Sequence, residues 1–145
     1  MTTEQYPRSP KEQLGGIAHL GRLFDKIRMR NAGLIQDYNY LTVGFDLYLL
    51  NLLEISGEDL EQRVLAGGTD EELVAWIQAN GRTLTDQDRT QWNDRIANGA
   101  PQNEAAQQRF EARRAEVGTT RGLSEKQLSQ ITRWVDIIEW DEGRM

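Results

Sequence analysis

Cysteine is absent from the 145 residues, which excludes disulfides, thiolate metal sites and cysteine nucleophiles and fits a reducing compartment. Histidine is nearly absent too: His19 stands alone, so a histidine-based metal cluster is excluded and any imidazole chemistry must run through that one ring. Proline occurs three times only. Long apolar runs are also missing; the longest, over residues 47–53, is broken by Asn51 and falls far short of the roughly 20 residues that span a bilayer. No basic stretch followed by an apolar run opens the chain, so a soluble cytoplasmic protein with no membrane contact is expected. Glycine-rich phosphate loops, nucleophile elbows and zinc-binding helix motifs are likewise not found.

Charge is present in quantity but unevenly placed. The net value is −6. Residues 1–33 carry Arg8, Lys11, Arg22, Lys26, Arg28 and Arg30 against Glu4, Glu12 and Asp25, whereas residues 34–80 hold Arg63 alone among Asp37, Asp46, Glu54, Glu58, Asp59, Glu61, Asp70, Glu71 and Glu72. The remainder is close to balanced. Such polarity suits a basic first helix docking on an acidic second segment inside the fold. Nucleic-acid binding needs a larger basic excess and is not expected.

Helix starts are legible because Ser or Thr followed three residues later by an acid or amide satisfies two orphan backbone donors. Ser9, Ser56, Thr69, Thr85 and Ser124 each open such a pattern, Ser9 with Pro10 at the first helical position. After Gly15-Gly16, taken as a bend between helical turns, a helix is expected over 17–31, with Ile17, Leu20, Leu23, Phe24 and Ile27 as its apolar stripe. Residues 34–44 read as a loop or a short extended piece. Residues 45–54 are apolar on nearly all sides, which predicts a central helix covered all round. Further helices are expected over 57–66, 70–80, 86–98, 102–117 and 125–140. The fold class is all-α: a compact single domain over 1–145 with about six to eight helices, residues 1–8 being a flexible tail.

Three features bear on function. His19, Arg22, Asp25 and Lys26 share one side of the first helix, and Asp46 can approach them; together they could bind an anion or move a proton, or form no more than a solvated face with a local ion pair. Trp134 and Trp140 could line a groove for a partner, or fill a small core. Residues 141–144 read as an exposed end. No cofactor and no metal are expected.

The blocks RSPKEQLGGIAHLGRLFDKIR (residues 8–28), GFDLYLL (44–50), GGTDEELVAWI (67–77) and WVDIIEWDEGR (134–144) resemble a bacterial family known as domain of unknown function 5069. The resemblance implies a stand-alone bacterial cytoplasmic protein of about this length. It also implies that the pattern from Gly15 and Gly16 through Arg22, Asp25 and Lys26 is a family feature. The family has no assigned activity, so no residue role is carried over. The leading expectation is a non-catalytic helical binding or regulatory module for a protein or a small anionic ligand. The alternative is a small metal-independent enzyme with His19 as general acid or base and Arg22 and Lys26 holding an anionic substrate. Oligomeric state stays open.

Overall fold

The computed structural model describes residues 6–145 and bears out the all-α class. Among the described residues there are eight helices: α1 (Leu20–Asn31), α2 (Gly44–Leu53), α3 (Gly57–Leu65), α4 (Asp70–Asn80), α5 (Asp86–Asn98), α6 (Glu104–Arg121), α7 (Glu125–Ser129) and α8 (Trp134–Asp141). A two-stranded antiparallel ribbon, β1 (Gln13–Leu14) and β2 (Ile17–Ala18), precedes them. The backbone gathers into two compact units, one ending at Asn93 and one running from Asp94 to Met145. No helix among the described residues is long and apolar enough to cross a membrane.

The ribbon corrects the expected start of the first helix. Gly15 and Gly16 both take positive φ, 61° and 77°, the demand of a two-residue hairpin turn that glycine meets without steric cost. Leu14 pairs with Ile17 and Gln13 with Ala18, so α1 begins three residues later than the apolar stripe suggests. The Ser9 pattern likewise makes one turn and no helix: its hydroxyl accepts from Lys11 N and its carbonyl from Glu12 N. The other four start signals hold. Ser56 accepts from Asp59 N, Thr69 and Ser124 form reciprocal caps with Glu72 and Gln127, and Thr85 does the same with Asp88.

In the first unit the core is built by Leu20, Leu23, Phe24 and Ile27 of α1 with Leu49 and Leu53 of α2, Leu60 of α3, and Leu73 and Ile77 of α4, all essentially without solvent exposure. Helix α1 packs on α3, placing the basic helix against the acidic segment as its charge suggests. The ribbon is tied to α5: Trp92 Nε1 donates to the Ala18 carbonyl at 2.8 Å, and the Asn93 side chain accepts from Ala18 N and donates to the Gly16 carbonyl.

Helix α2 departs from the expected cover on all sides. It buries one face, Asp46, Leu49, Leu50 and Leu53, while Tyr48 on the opposite face is 43% exposed. The most enclosed helix of this unit is instead α1.

The second unit closes around Phe110, Val117, Ile131 and Ile137, with Leu123, Leu128, Trp134 and Trp140 packed against them. The single helix expected over 125–140 is divided into α7 and α8, because the Asp136 carboxylate accepts from the backbone N–H groups of Thr132 and Arg133 and so starts a new helix. The chain end is not a loose polar tail. Glu142 is 5% exposed and Arg144 pairs with both Glu139 and Glu142.

Candidate functional site

Of the five residues singled out around the first helix, the structure brings four into the interior and assigns the fifth elsewhere. His19, Arg22, Lys26 and Asp46 are all buried, at 1%, 3%, 5% and 1% exposure. His19 occupies the N-cap of α1 in the left-handed conformation, φ 72°, which costs a non-glycine residue about 1–2 kcal/mol. Its backbone N–H donates to the Pro10 carbonyl at 2.9 Å and its carbonyl accepts from Leu23 N. This turned backbone carries the ring to α2. Nε2 lies 2.6 Å from Asp46 Oδ1, and Phe45 meets the ring edge-on at 5.6 Å.

Asp46 is the hub. Besides His19 it receives Lys26 Nζ at 3.1 Å on Oδ1 and the Leu41 backbone N–H at 3.0 Å on Oδ2. Lys26 Nζ donates also to the Asn39 carbonyl at 2.9 Å. Burial alone would raise the Asp46 carboxyl, but the His19 hydrogen bond, the Lys26 charge and the Leu41 N–H together hold it below its ordinary value. It is therefore a carboxylate in the interior, which only its three donors make tolerable.

For His19 the balance falls the other way. Loss of solvent pushes its pKa down and outweighs the Asp46 hydrogen bond, with the Lys26 and Arg22 charges adding to the depression. The neutral ring donates from Nε2 to Asp46. Nδ1 then carries a lone pair with no hydrogen-bond partner among the described residues. Protonating it would bury an unsatisfied N–H, a second reason for neutrality.

Asp25 turns away from this cluster into a second network. It accepts from Arg8 Nε at 2.9 Å, Nη2 at 3.1 Å and the Arg8 backbone N–H at 2.9 Å. Arg8 Nη1 also reaches Asp70 at 2.9 Å, and Arg28 reaches the same carboxylate at 3.1 Å. Arg8 and Arg28 hold the Asp70 carboxyl below its ordinary value despite the opposing effect of burial. The flexible tail expected for residues 1–8 lies outside the described residues over 1–5; at its end Pro7 is buried and Arg8 is gripped by these two acids.

Gly21 makes room for the grip, since a Cβ there would come within 2.9 Å of the Arg8 Cζ. The two networks touch where Arg22 Nη1 donates to the Arg8 carbonyl at 3.2 Å. Arg22 also lies over the Tyr38 ring, 5.7 Å from its centroid. Sequence spacing gave no sign of Arg8, Asp70 or Gly21, because all three act across long separations.

The second unit holds the other candidates. Trp134 stacks edge-to-face on Phe110 at 5.1 Å, and Trp134 and Trp140 both pack on the core cluster. A shallow open cavity of about 400 Å³ lies between α6 and α7, lined by Glu111, Arg114, Ala115, Glu125, Leu128 and Ser129. It contains neither tryptophan and none of the first-helix cluster.

Chemically, the His19 cluster is a sealed ion pair with a neutral imidazole attached. A general acid or base must come within hydrogen-bond reach of a substrate proton, and this ring is 1% exposed, with Nε2 spent on buried Asp46 and Nδ1 buried as well. Among the described residues no group of three or more His, Asp or Glu side chains is placed to hold a metal ion. Comparison with curated proteins gave no match. One family model, described as domain of unknown function (DUF5069), covers residues 4–144, and the chain belongs to that family.

Proposed function

We propose that the chain is a non-catalytic helical binding module of the bacterial cytoplasm whose partner is a protein. The observation that carries this reading is the outer face of α2. A helix apolar on nearly all sides is ordinarily covered all round, yet here Val43 at its N-cap is 45% exposed and Tyr48 43%, with Leu47 and Leu52 half-buried beside them. The chemistry that would favour a small anionic ligand is spent internally. Arg8 and Arg28 pair with Asp25 and Asp70, Lys26 with Asp46, and Arg22 with a backbone carbonyl. Absence of cysteine fits a reducing compartment.

Site-specific incorporation of a photo-reactive phenylalanine at position 48, with position 111 on α6 as control, tests it in cells. A discrete cross-linked protein at 48 that is lost on Val43→Ser, and is absent at 111, is expected. Equal labelling at both positions, or thermal stabilisation by a metabolite that depends on Arg22 and Lys26, would sink the proposal.

A further inference from the structure

The outer face of α2 is set in a stretch of chain that carries acids and no bases; of the arginines brought near it, Arg30 stacks on Tyr40, and Arg82, whose backbone N–H donates to the Leu53 carbonyl, pairs with Asp88. Between Arg30 and Arg63 there is no lysine or arginine, while Asp37, Glu54, Glu58 and Asp59 are exposed. Three of these four cluster at one end: Glu54 is the C-cap of α2, and Glu58 and Asp59 form the first turn of α3 immediately after it. The partial negative charge at the end of α2 and the partial positive charge at the start of α3 oppose each other there, so the field is that of the three side chains. The apolar positions form two short rows by helical spacing, Val43 one turn from Leu47 and Tyr48 one turn from Leu52, with the exposed Asn51 side chain between them.

Resting on the binding-module reading, we infer that this face docks a basic amphipathic helix of the partner protein, apolar residues on Val43, Leu47, Tyr48 and Leu52, and lysines or arginines on the acidic end. Charge decides among the occupants. A second copy docking parallel through the same face would set Glu54, Glu58 and Asp59 against carboxylates of the same sign, and an antiparallel one would leave them without a cationic partner from this stretch. Nucleic acid and anionic membrane carry that sign as well. A cationic helix meets complementary charge and covers apolar area, the pairing that helix-in-groove recognition uses. With ten residues, α2 is about 15 Å long and matches two to three turns of such a partner.

The test titrates a labelled Leu/Lys amphipathic helical peptide of about five turns, and its Leu/Glu counterpart, into the full chain by fluorescence anisotropy, with backbone amide shifts locating the contact. The Leu/Lys peptide is expected to shift residues 43–59, and Tyr48→Ser to weaken it by about tenfold while Tyr48→Phe restores it. Glu54→Gln with Glu58→Gln and Asp59→Asn is expected to remove most of the weakening seen on raising salt from about 50 to about 300 mM. Circular dichroism confirms that each variant is folded. Shifts centred on α6 or α7, or equal binding of the Leu/Glu peptide to α2, overturn the inference. If neither peptide shifts α2 while position 48 still cross-links its protein, the charge assignment fails and the binding module stands; if the cross-link is missing as well, both fall.

Discussion

Replacing Asp46 by asparagine is expected to cost the first unit more than any other single change to its polar residues. Three donors converge on this side chain: His19 Nε2 at 2.6 Å and Lys26 Nζ at 3.1 Å on one oxygen, and Leu41 N at 3.0 Å on the other. Asparagine has one acceptor oxygen. Set toward His19 and Lys26, it turns its NH2 on the Leu41 N–H; set toward Leu41, it turns the NH2 on two donors. Either way a buried donor is stranded, and the Lys26 ammonium, 5% exposed, loses its counter-charge. Breaking one partner of a buried pair costs about 3–5 kcal/mol, and the lower end applies because the Asn39 carbonyl still accepts from Nζ. Adding Lys26→Met removes the stranded charge, so the double variant should be more stable than the sum of the singles predicts, with a coupling of about 1–3 kcal/mol. Urea denaturation followed by circular dichroism measures both, provided the slope with denaturant is unchanged. A loss under about 1 kcal/mol for Asp46→Asn, or strict additivity in the double variant, would refute the claim that the pair is structurally coupled.

The remaining predictions concern pH and backbone. Because burial lowers the His19 pKa in the folded chain, the unfolded chain takes up its proton first as pH falls through about 6.5. Stability should therefore drop between pH 7 and pH 5. His19→Asn, which tolerates the left-handed backbone, should flatten that slope; a wild-type profile that is level or rises on acidification contradicts the assignment. Gly81→Ala should cost about 2 kcal/mol or more, since its Cβ would fall 2.6 Å from the Leu53 carbonyl oxygen and 2.8 Å from Ile55 Cδ1; a melting temperature unchanged by this substitution would deny the close approach. Gly33→Ala, at φ 74° with open space around it, should cost only the left-handed penalty of about 1 kcal/mol, and Gly15→Ala distinctly more, because Val74 Cγ1 lies 2.9 Å from the added methyl. Equal costs at the two glycines would remove Val74 from the account of the hairpin.

Local chemistry was readable in the sequence and long-range chemistry was not. Ser56, Thr69, Thr85 and Ser124 cap helices where their spacing puts them, because a cap is satisfied within four residues. Ser9 has the same pattern and fails: six residues later the chain must turn back through Gly15-Gly16 to pair Leu14 with Ile17, and that ribbon replaces a helix. The division between α7 and α8 was signalled by Asp136, whose carboxylate caps two upstream N–H groups, but an apolar stripe through Leu128, Ile131 and Val135 hides the break. In the candidate site, His19, Lys26 and Asp46 do converge as residue type and helical register suggest. Asp25 does not, because its side of the turn faces Arg8, and no pattern within α1 marks which carboxylate a residue seventeen positions upstream will take.

The buried cluster and the outer face of α2 are mechanically connected. Lys26 holds the Asn39 carbonyl, Asp46 holds the Leu41 N–H, and Leu41 itself sits at a left-handed φ of 55°, so the chain entering α2 is fastened from below by the same charges that make the interior polar. A loop of this kind left to itself would sample many conformations, and ordering it on binding would subtract from affinity. The energy stored in burying three ionisable groups thus has a use that an apolar substitute would lack: an isosteric hydrocarbon core could match the stability, but it could not accept the Leu41 N–H or grip the Asn39 carbonyl. It follows that the Asp46→Asn/Lys26→Met chain, even where its stability is recovered, should show faster amide exchange over residues 39–43 than the parent, and should bind more weakly whatever docks on Val43 and Tyr48. Unchanged exchange there would leave the cluster as packing alone.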